Sequence, residues 1–325
     1  MERFLNNGII KSMKEIIINS NDKDQRLDRF MGKYLQNAKK SLIMKSIRKK
    51  NITVNNKKSA PEYILKENDR VEIYFSDETI EKFTKVKNHV KRDFPDIIYE
   101  DENIALVKKP RGLLTHNDKK DYEKNALDMF VSYMIHKGEY VPRVEKSFRP
   151  SFCNRLDRNT SGILIGCKNA QALREINDAI KNRHLEKHYM ALVDGSIDEE
   201  IHDLSYLEKD GEKNKVSLNE RGDGKEIETI IRPMERLGEY TLVDINLITG
   251  RTHQIRATLK KYNRSIVGDL KYKGRRSFGL NSQFLHNYKI IFGGLKNLDY
   301  LNGKEFTLEL EDSLNDILKE LRKEN

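Results

Sequence analysis

Apolar positions near the start of the chain fall into two alternating rhythms. Three isoleucines in a row within residues 14–19 predict a short strand. Leu27, Phe30, Met31, Tyr34 and Leu35 recur at helical spacing and predict an amphipathic helix. A second helix is expected over 41–49, with Leu42, Ile43 and Ile47 facing inward and Lys45, Arg48 and Lys49 facing out. Ile52-Thr53-Val54 reads as a strand and Asn55-Asn56 as a turn. Val71, Ile73 and Phe75 alternate as a further strand, and the module closes near residue 76. Residues 77–95 are poor in apolar positions, mixed in charge and end in Pro95, so they read as a linker.

From Asp96 the pattern changes. Strand-like runs fall at 97–99, 104–107, 162–167, 189–193, 228–231, 241–248, 284–292 and 306–310. Helix-like runs fall at 126–136, 171–181, 252–261 and 314–321. In the last, Ser313 and Asp316 have capping-box spacing. Many strands with interspersed helices define an α+β class with a mixed or antiparallel sheet. The expected organisation is a module at 13–76, a linker at 77–95 and a larger domain at 96–325. No fixed-period repeat or low-complexity tract interrupts it.

Composition narrows the partner. At 325 residues the chain suits a small module plus a larger domain and can bury a core without staples. Charged residues make up 34% and no apolar run approaches the roughly 20 residues of a membrane span. The first residues lack a secretory pattern; Met13 can serve as a start, so residues 1–12 are expected to add little. Cys153 and Cys167 have no paired spacing, which leaves a disulfide framework and a zinc ribbon unsupported, with the cytoplasm as the default compartment. The net charge is +10, a weak pointer to a polyanion. Its placement says more: residues 29–61 hold ten Lys or Arg and no Asp or Glu, the footprint that a phosphate backbone requires.

Candidate chemistry centres on Asp157. Taken alone, an Asp before Asn159-Thr160-Ser161-Gly162 organises a turn through side-chain bonds to nearby backbone. Its setting opens a second reading. Arg155 and Arg158 flank it and Ile163-Leu164-Ile165 follows, so it is a carboxylate on a loop entering a buried strand, beside guanidinium groups. Other signals fail. His184 and His188 are four apart, but the stretch runs into a strand and its Glu186 is not adjacent to the first His. Gly222-Asp223-Gly224 lacks a third glycine and reads as a turn. No phosphate-binding loop appears, and neither cysteine has the support a nucleophile needs.

The segment Asn154-Arg155-Leu156-Asp157-Arg158-Asn159-Thr160-Ser161-Gly162 resembles the signature of the RluA-type pseudouridine synthases, where the family often has His at the position of Asn154. Further segments resemble the family in its order. They are Tyr99-Glu100-Asp101-Glu102-Asn103 with Lys108-Lys109-Pro110-Arg111-Gly112-Leu113, then Lys187-His188-Tyr189-Met190-Ala191-Leu192-Val193-Asp194-Gly195. Thr249-Gly250-Arg251-Thr252-His253-Gln254-Ile255-Arg256 follows, then Ile266-Val267-Gly268-Asp269-Leu270-Lys271-Tyr272 and Leu285-His286-Asn287-Tyr288, so the likeness spans about 96–292. The resemblance implies isomerisation of uridine in RNA with no metal or redox cofactor. It implies that Asp157 is the catalytic carboxylate, acting as nucleophile on the sugar, as nucleophile on the base, or as a base at the ribose. It further implies that Tyr189 packs against the target base and moves a proton, and that Arg256 pairs with Asp157. Arg251 would meet phosphate, and Arg155 would fill the gap left by a flipped base.

Residues 25–75 resemble the alpha-L RNA-binding motif named after a ribosomal small-subunit protein. Arg29, Lys45, Arg48 and Lys49 are its expected RNA contacts, and Asn stands at 51, 56 and 68 where that family often has Gly. The expected partner is RNA, first of all large-subunit ribosomal RNA, bound by a monomer away from membranes. The same chemistry on transfer RNA and a non-catalytic ribosome-assembly role are the alternatives.

Overall fold

The computed structural model describes residues 13–84, 93–117, 123–140, 147–210, 215–219 and 224–324. They divide into two compact units. The first takes in described residues 13–84 with 134–140, 147–150 and 168–171, and the second takes in the remainder.

The first unit contains β1 (Lys14–Ile17), α1 (Leu27–Tyr34), α2 (Lys40–Arg48), β2 (Ile52–Val54), β3 (Arg70–Ile73) and α3 (Asp77–Thr84). Its sheet is antiparallel in the order β1-β3-β2, with Ile73 between Lys14 and Ile52. Leu27, Phe30 and Met31 of α1 and Ile43 and Ile47 of α2 close over it with Ile16, Ile52, Val71 and Ile73. Leu42, expected to face inward, is 36% exposed, and Ser46 takes the buried place beside Ile43 and Ile47. At 100° per residue, 43, 46 and 47 share one face and 42 sits at its edge. Two of the three Asn positions matter for backbone: Asn56 and Asn68 have φ of 60° and 69°, in the left-handed region that Asn tolerates. After α2 that demand falls on Lys50, with φ 60°, one residue before Asn51.

The linker expected from residue 77 begins instead as helix α3. Ser76 caps it, with Thr79 N donating to Ser76 Oγ, and Asp77 and Glu78 occupy the first turn, where the helix dipole favours acids. Only Ile80 and Phe83 carry its inner face, and both pack on the core of the first unit. Two apolar residues in eight give too weak a periodicity to read as a helix.

The second unit carries β4 (Asp96–Glu100), β5 (Ile104–Lys109), most of α4 (Ala126–His136), β6 (Ser151–Phe152), β7 (Ser161–Cys167), most of α5 (Ala170–Lys181) and β8 (Glu186–Asp194). It continues with β9 (Ile201–Asp210), β10 (Lys215–Asn219), β11 (Lys225–Leu237), β12 (Tyr240–Leu247), α6 (Gln254–Lys261), β13 (Leu285–Ile291), β14 (Glu305–Thr307) and α7 (Asp312–Glu324). Among the described residues the strands form one eleven-stranded mixed sheet, ordered β10-β9-β11-β12-β8-β13-β7-β5-β4, with β14 on β13 and β6 on β7. The β13–β7 pair is parallel and the other pairs are antiparallel. This is the expected α+β class. Ile104, Leu106, Ile163, Ile165, Ile176, Ile290 and Phe292 form the core on one face of the sheet.

Two differences from the sequence reading have physical causes. Strand β9 lacked a signal because polar residues face inward and an apolar one faces out. Asp203 and Ser205 are buried while Leu204 is 61% exposed, and Asp203 accepts hydrogen bonds from Lys261 Nζ and Tyr262 Oη at 2.9 and 3.0 Å. The capping box at Ser313 does not form: α7 starts at Asp312, and Leu314 N and Asn315 N donate to Glu311 O. The Gly222-Asp223 part of the expected turn lies outside the described residues.

One glycine fixes the geometry behind the Asp157 loop. Gly162, the second residue of β7, has φ 132° and lies against Asn287 of β13, and a Cβ there would overlap the Asn287 backbone. Asn287 in turn pairs with Tyr189 of β8. Gly162, Asn287 and Tyr189 therefore lie side by side on three neighbouring strands, and this brings Tyr189 beside the Asp157 loop.

Candidate active site

The loop between β6 and β7 is held from both sides. Asn154 imitates a strand partner: its Nδ2 donates to Ile163 O at 2.9 Å, and its Oδ1 accepts from Ile165 N at 2.8 Å. Thr115 Oγ1 donates to Leu156 O at 2.7 Å. Thr160 N donates to Asp157 O at 3.0 Å, so the turn read from the local residues does form. Beneath it, fully buried Lys109 donates from Nζ to the carbonyl oxygens of Pro110, Arg158 and Thr160 at 3.0, 3.0 and 2.7 Å.

Burial pushes the Lys109 amine down to about 7, although Glu311 and Asp157 pull the other way. The folded value lies below its ordinary 10.5, so between pH 7 and 10.5 the unfolded chain binds more protons and stability rises with pH. Lys109→Met strips three buried carbonyls of their donor. It should cost about 2 kcal/mol in urea denaturation at neutral pH and flatten this pH dependence. The gap between wild type and variant should widen from pH 7 to pH 10.

Asp157 projects from this loop with its side chain 26% exposed. Its partner is Arg256 on α6, whose Nη1 donates to Asp157 Oδ2 at 3.1 Å. Arg256 is itself anchored by two parallel bonds to Asp269, Nε to Oδ2 at 2.6 Å and Nη2 to Oδ1 at 2.7 Å, and its guanidinium carbon lies 4.8 Å from the centroid of the Tyr272 ring. Burial opposes the Arg256 charge, but the two carboxylates more than offset it and raise its pKa. Tyr189 of β8 is 4% exposed; burial first, and the Asp157 charge second, raise its phenol and keep the proton on.

The pairing implied by resemblance is thus present, across 99 residues of sequence. The flanking arginines take no part in holding the carboxylate. Arg155 is exposed, and Arg158 turns out to an ion pair with Glu123. Arg251 is exposed at the start of the α6 turn. Arg29, Lys45, Arg48 and Lys49 are exposed on the first unit.

Sequence reasoning passed over His253. Its Nε2 lies 3.7 Å from Asp157 Oδ2 and its Nδ1 3.0 Å from Tyr272 Oη. The available signal was its place three residues before Arg256, within the family-like run from Thr249 to Arg256. Among the described residues no group of three or more His, Cys, Asp or Glu side chains could hold a metal ion, and no helix is long and apolar enough to cross a membrane.

A carboxylate with one oxygen anchored by a guanidinium, beside a buried, protonated phenol, is equipped for nucleophilic or proton-transfer work on a group entering from solvent. Similarity to known proteins gives the class. A family model for RNA pseudouridylate synthase matches residues 103–261. An RNA pseudouridine synthase of Mycoplasma capricolum is 35% identical over 90% of this chain and 96% of its own length. The ribosomal large subunit pseudouridine synthase C of Haemophilus influenzae is 30% identical over 97% of both chains. The structure of human RNA pseudouridylate synthase domain containing 4 shares the fold with a TM-score of 0.53 at 18% identity, covering 70% of this chain and 92% of that one. The chain belongs to the RNA pseudouridine synthases, isomerases that convert uridine in RNA to pseudouridine.

Proposed function

We propose that this protein isomerises particular uridines of large-subunit ribosomal RNA, in the cytoplasm and as a monomer, with Asp157 as the catalytic carboxylate. The observation that carries the reaction is the Asp157–Arg256–Asp269 chain of charge-assisted bonds beside buried Tyr189. In this reading Arg256 orients Asp157, and Tyr189 supports the flipped base and handles a proton. Arg155, exposed two residues before Asp157, enters the space that the base leaves. Arg251 meets a phosphate. The relatives named for the large ribosomal subunit, aligned over nearly the whole chain, favour ribosomal over transfer RNA. An assembled site speaks against a purely structural role.

Residues 13–76 serve as an RNA grip, with α3 completing their core and Arg29, Lys45, Arg48 and Lys49 meeting phosphates. Changing these four to Gln should weaken RNA binding and reduce the slope of log K against log salt by about 3. An unchanged slope would take the grip away from this face.

The substrate is tested by mapping pseudouridines in ribosomal RNA from cells with and without the gene, using carbodiimide treatment and primer extension. Loss of one or more large-subunit positions is expected. No change in ribosomal RNA would overturn the substrate reading and leave the reaction to be sought in other RNA.

A further inference from the structure

The two oxygens of Asp157 are not equivalent. Arg256 Nη1 and His253 Nε2 both converge on Oδ2, at 3.1 and 3.7 Å, and among the described residues nothing hydrogen-bonds Oδ1. What His253 presents to Oδ2 depends on where its proton sits, and its neighbours decide that. Tyr272 Oη accepts from Val216 N at 3.3 Å, and a backbone N–H can only donate. The phenol proton of buried Tyr272 then needs an acceptor, and among the described residues that acceptor is His253 Nδ1 at 3.0 Å. The reverse arrangement, with Nδ1–H donating to Oη, leaves the phenol proton buried without a partner. An acceptor Nδ1 on a neutral ring places the proton on Nε2, facing Asp157.

The backbone makes the same point. His253 precedes α6 in the left-handed region, at φ 55° and ψ 17°, a conformation that needs external support in a residue other than glycine. The support is Gln254. Its Oε1 accepts from Arg251 N and Thr249 Oγ1, both at 3.0 Å, and its Nε2 donates to Glu228 O and Thr229 Oγ1 at 3.1 and 2.9 Å. Strain held in place in this way directs the imidazole back over the Asp157 loop.

From this arrangement we infer that Tyr272 locks His253 in the Nε2–H tautomer, and that His253 thereby joins Arg256 in engaging Asp157 Oδ2, a positioning residue that leaves Oδ1 as the oxygen presented to the nucleotide. The inference rests on the reading of Asp157 as the catalytic carboxylate. The 3.7 Å separation is longer than a hydrogen bond; the N–H faces the carboxylate as a dipole and closes on it when RNA displaces solvent. Burial, aided by the Arg256 and Lys271 charges and opposed by Asp157 and Asp269, pushes the ring down to about 4, so it is neutral at pH 7.

Two measurements on the full chain test this. Side-chain nitrogen NMR at pH 7, with the His253 signals assigned by their loss in His253→Gln, should show a neutral ring protonated on Nε2. A ring protonated on Nδ1, or an imidazolium, overturns the inference. Kinetics then separate side chain from backbone. Gln carries an N–H near the Nε2 position, whereas Asn reaches only as far as Nδ1 but tolerates the left-handed backbone better. His253→Gln should keep kcat within about 5-fold of wild type and His253→Asn should lose about 30-fold, with KM for RNA moving less than about 2-fold in both. An Asn variant as active as the Gln variant, or more so, means that His253 serves the backbone alone and overturns the inference. Turnover retained by Asp157→Asn would instead overturn the reading of Asp157 and leave the tautomer result standing.

Discussion

Asp157→Asn should abolish pseudouridine formation while leaving the protein folded and bound to RNA. The amide has the shape of the carboxylate, and its oxygen can still accept from Arg256 Nη1. What it lacks is a charge and a basic or nucleophilic oxygen. All three candidate roles, attack on the sugar, attack on the base and proton abstraction at the ribose, require that oxygen. Tritium release from uridine-labelled RNA should therefore fall by about 10⁴-fold or more. The Asp157–Arg256 ion pair is partly exposed on the Asp157 side, so neutralising that carboxylate should change stability by no more than about 1 kcal/mol. RNA affinity rests on phosphates bound elsewhere and should change by less than about 3-fold. Filter binding, thermal unfolding and tritium release on one preparation separate these quantities. Turnover close to wild type would remove Asp157 from its role.

The sequence made this residue visible for an indirect reason. Locally, Asp157 reads as a turn aspartate; the turn does form, but through Thr160 N and the main-chain Asp157 O, while the side chain turns to Arg256. Its chemistry depends on Arg256, 99 positions away, and no periodicity or local spacing joins the two. Only an ordered set of segments resembling a known family did so. Elements with a strong apolar rhythm were legible from residues alone: α4 lies at Ala126–His136, as read, and Ile43 and Ile47 are buried. The rhythm failed where inward positions are polar, as at Asp203 and Ser205 of β9, and where a helix needs only Ile80 and Phe83 to dock. It also misplaced Leu42, a face-edge residue. The role of His253 was invisible for a third reason. It depends on which atom holds a proton, and that is set by Tyr272 and by a backbone N–H from Val216 in β10, a strand the sequence did not announce.

Arg256→Gln should be the most destabilising substitution in the site, and the cause is Asp269 more than Asp157. Asp269 is 2% exposed, and both of its oxygens are engaged by Arg256. Removing the guanidinium leaves a buried carboxylate without its counter-charge, which should cost about 3–5 kcal/mol in urea unfolding. Turnover should fall with it, since Asp157 loses its anchor. Arg256→Lys keeps the charge but offers a single point donor, which cannot span Asp157 and two Asp269 oxygens together, so kcat should fall about 100-fold with a smaller loss of stability. Asp269→Asn added to Arg256→Gln removes the stranded charge. The double variant should recover about 2 kcal/mol relative to Arg256→Gln alone and recover no activity. That split is the decisive result, because a purely structural ion pair would regain stability and activity together. If the double variant turns over RNA substantially faster than the single one, Arg256 acts on the fold and not on Asp157.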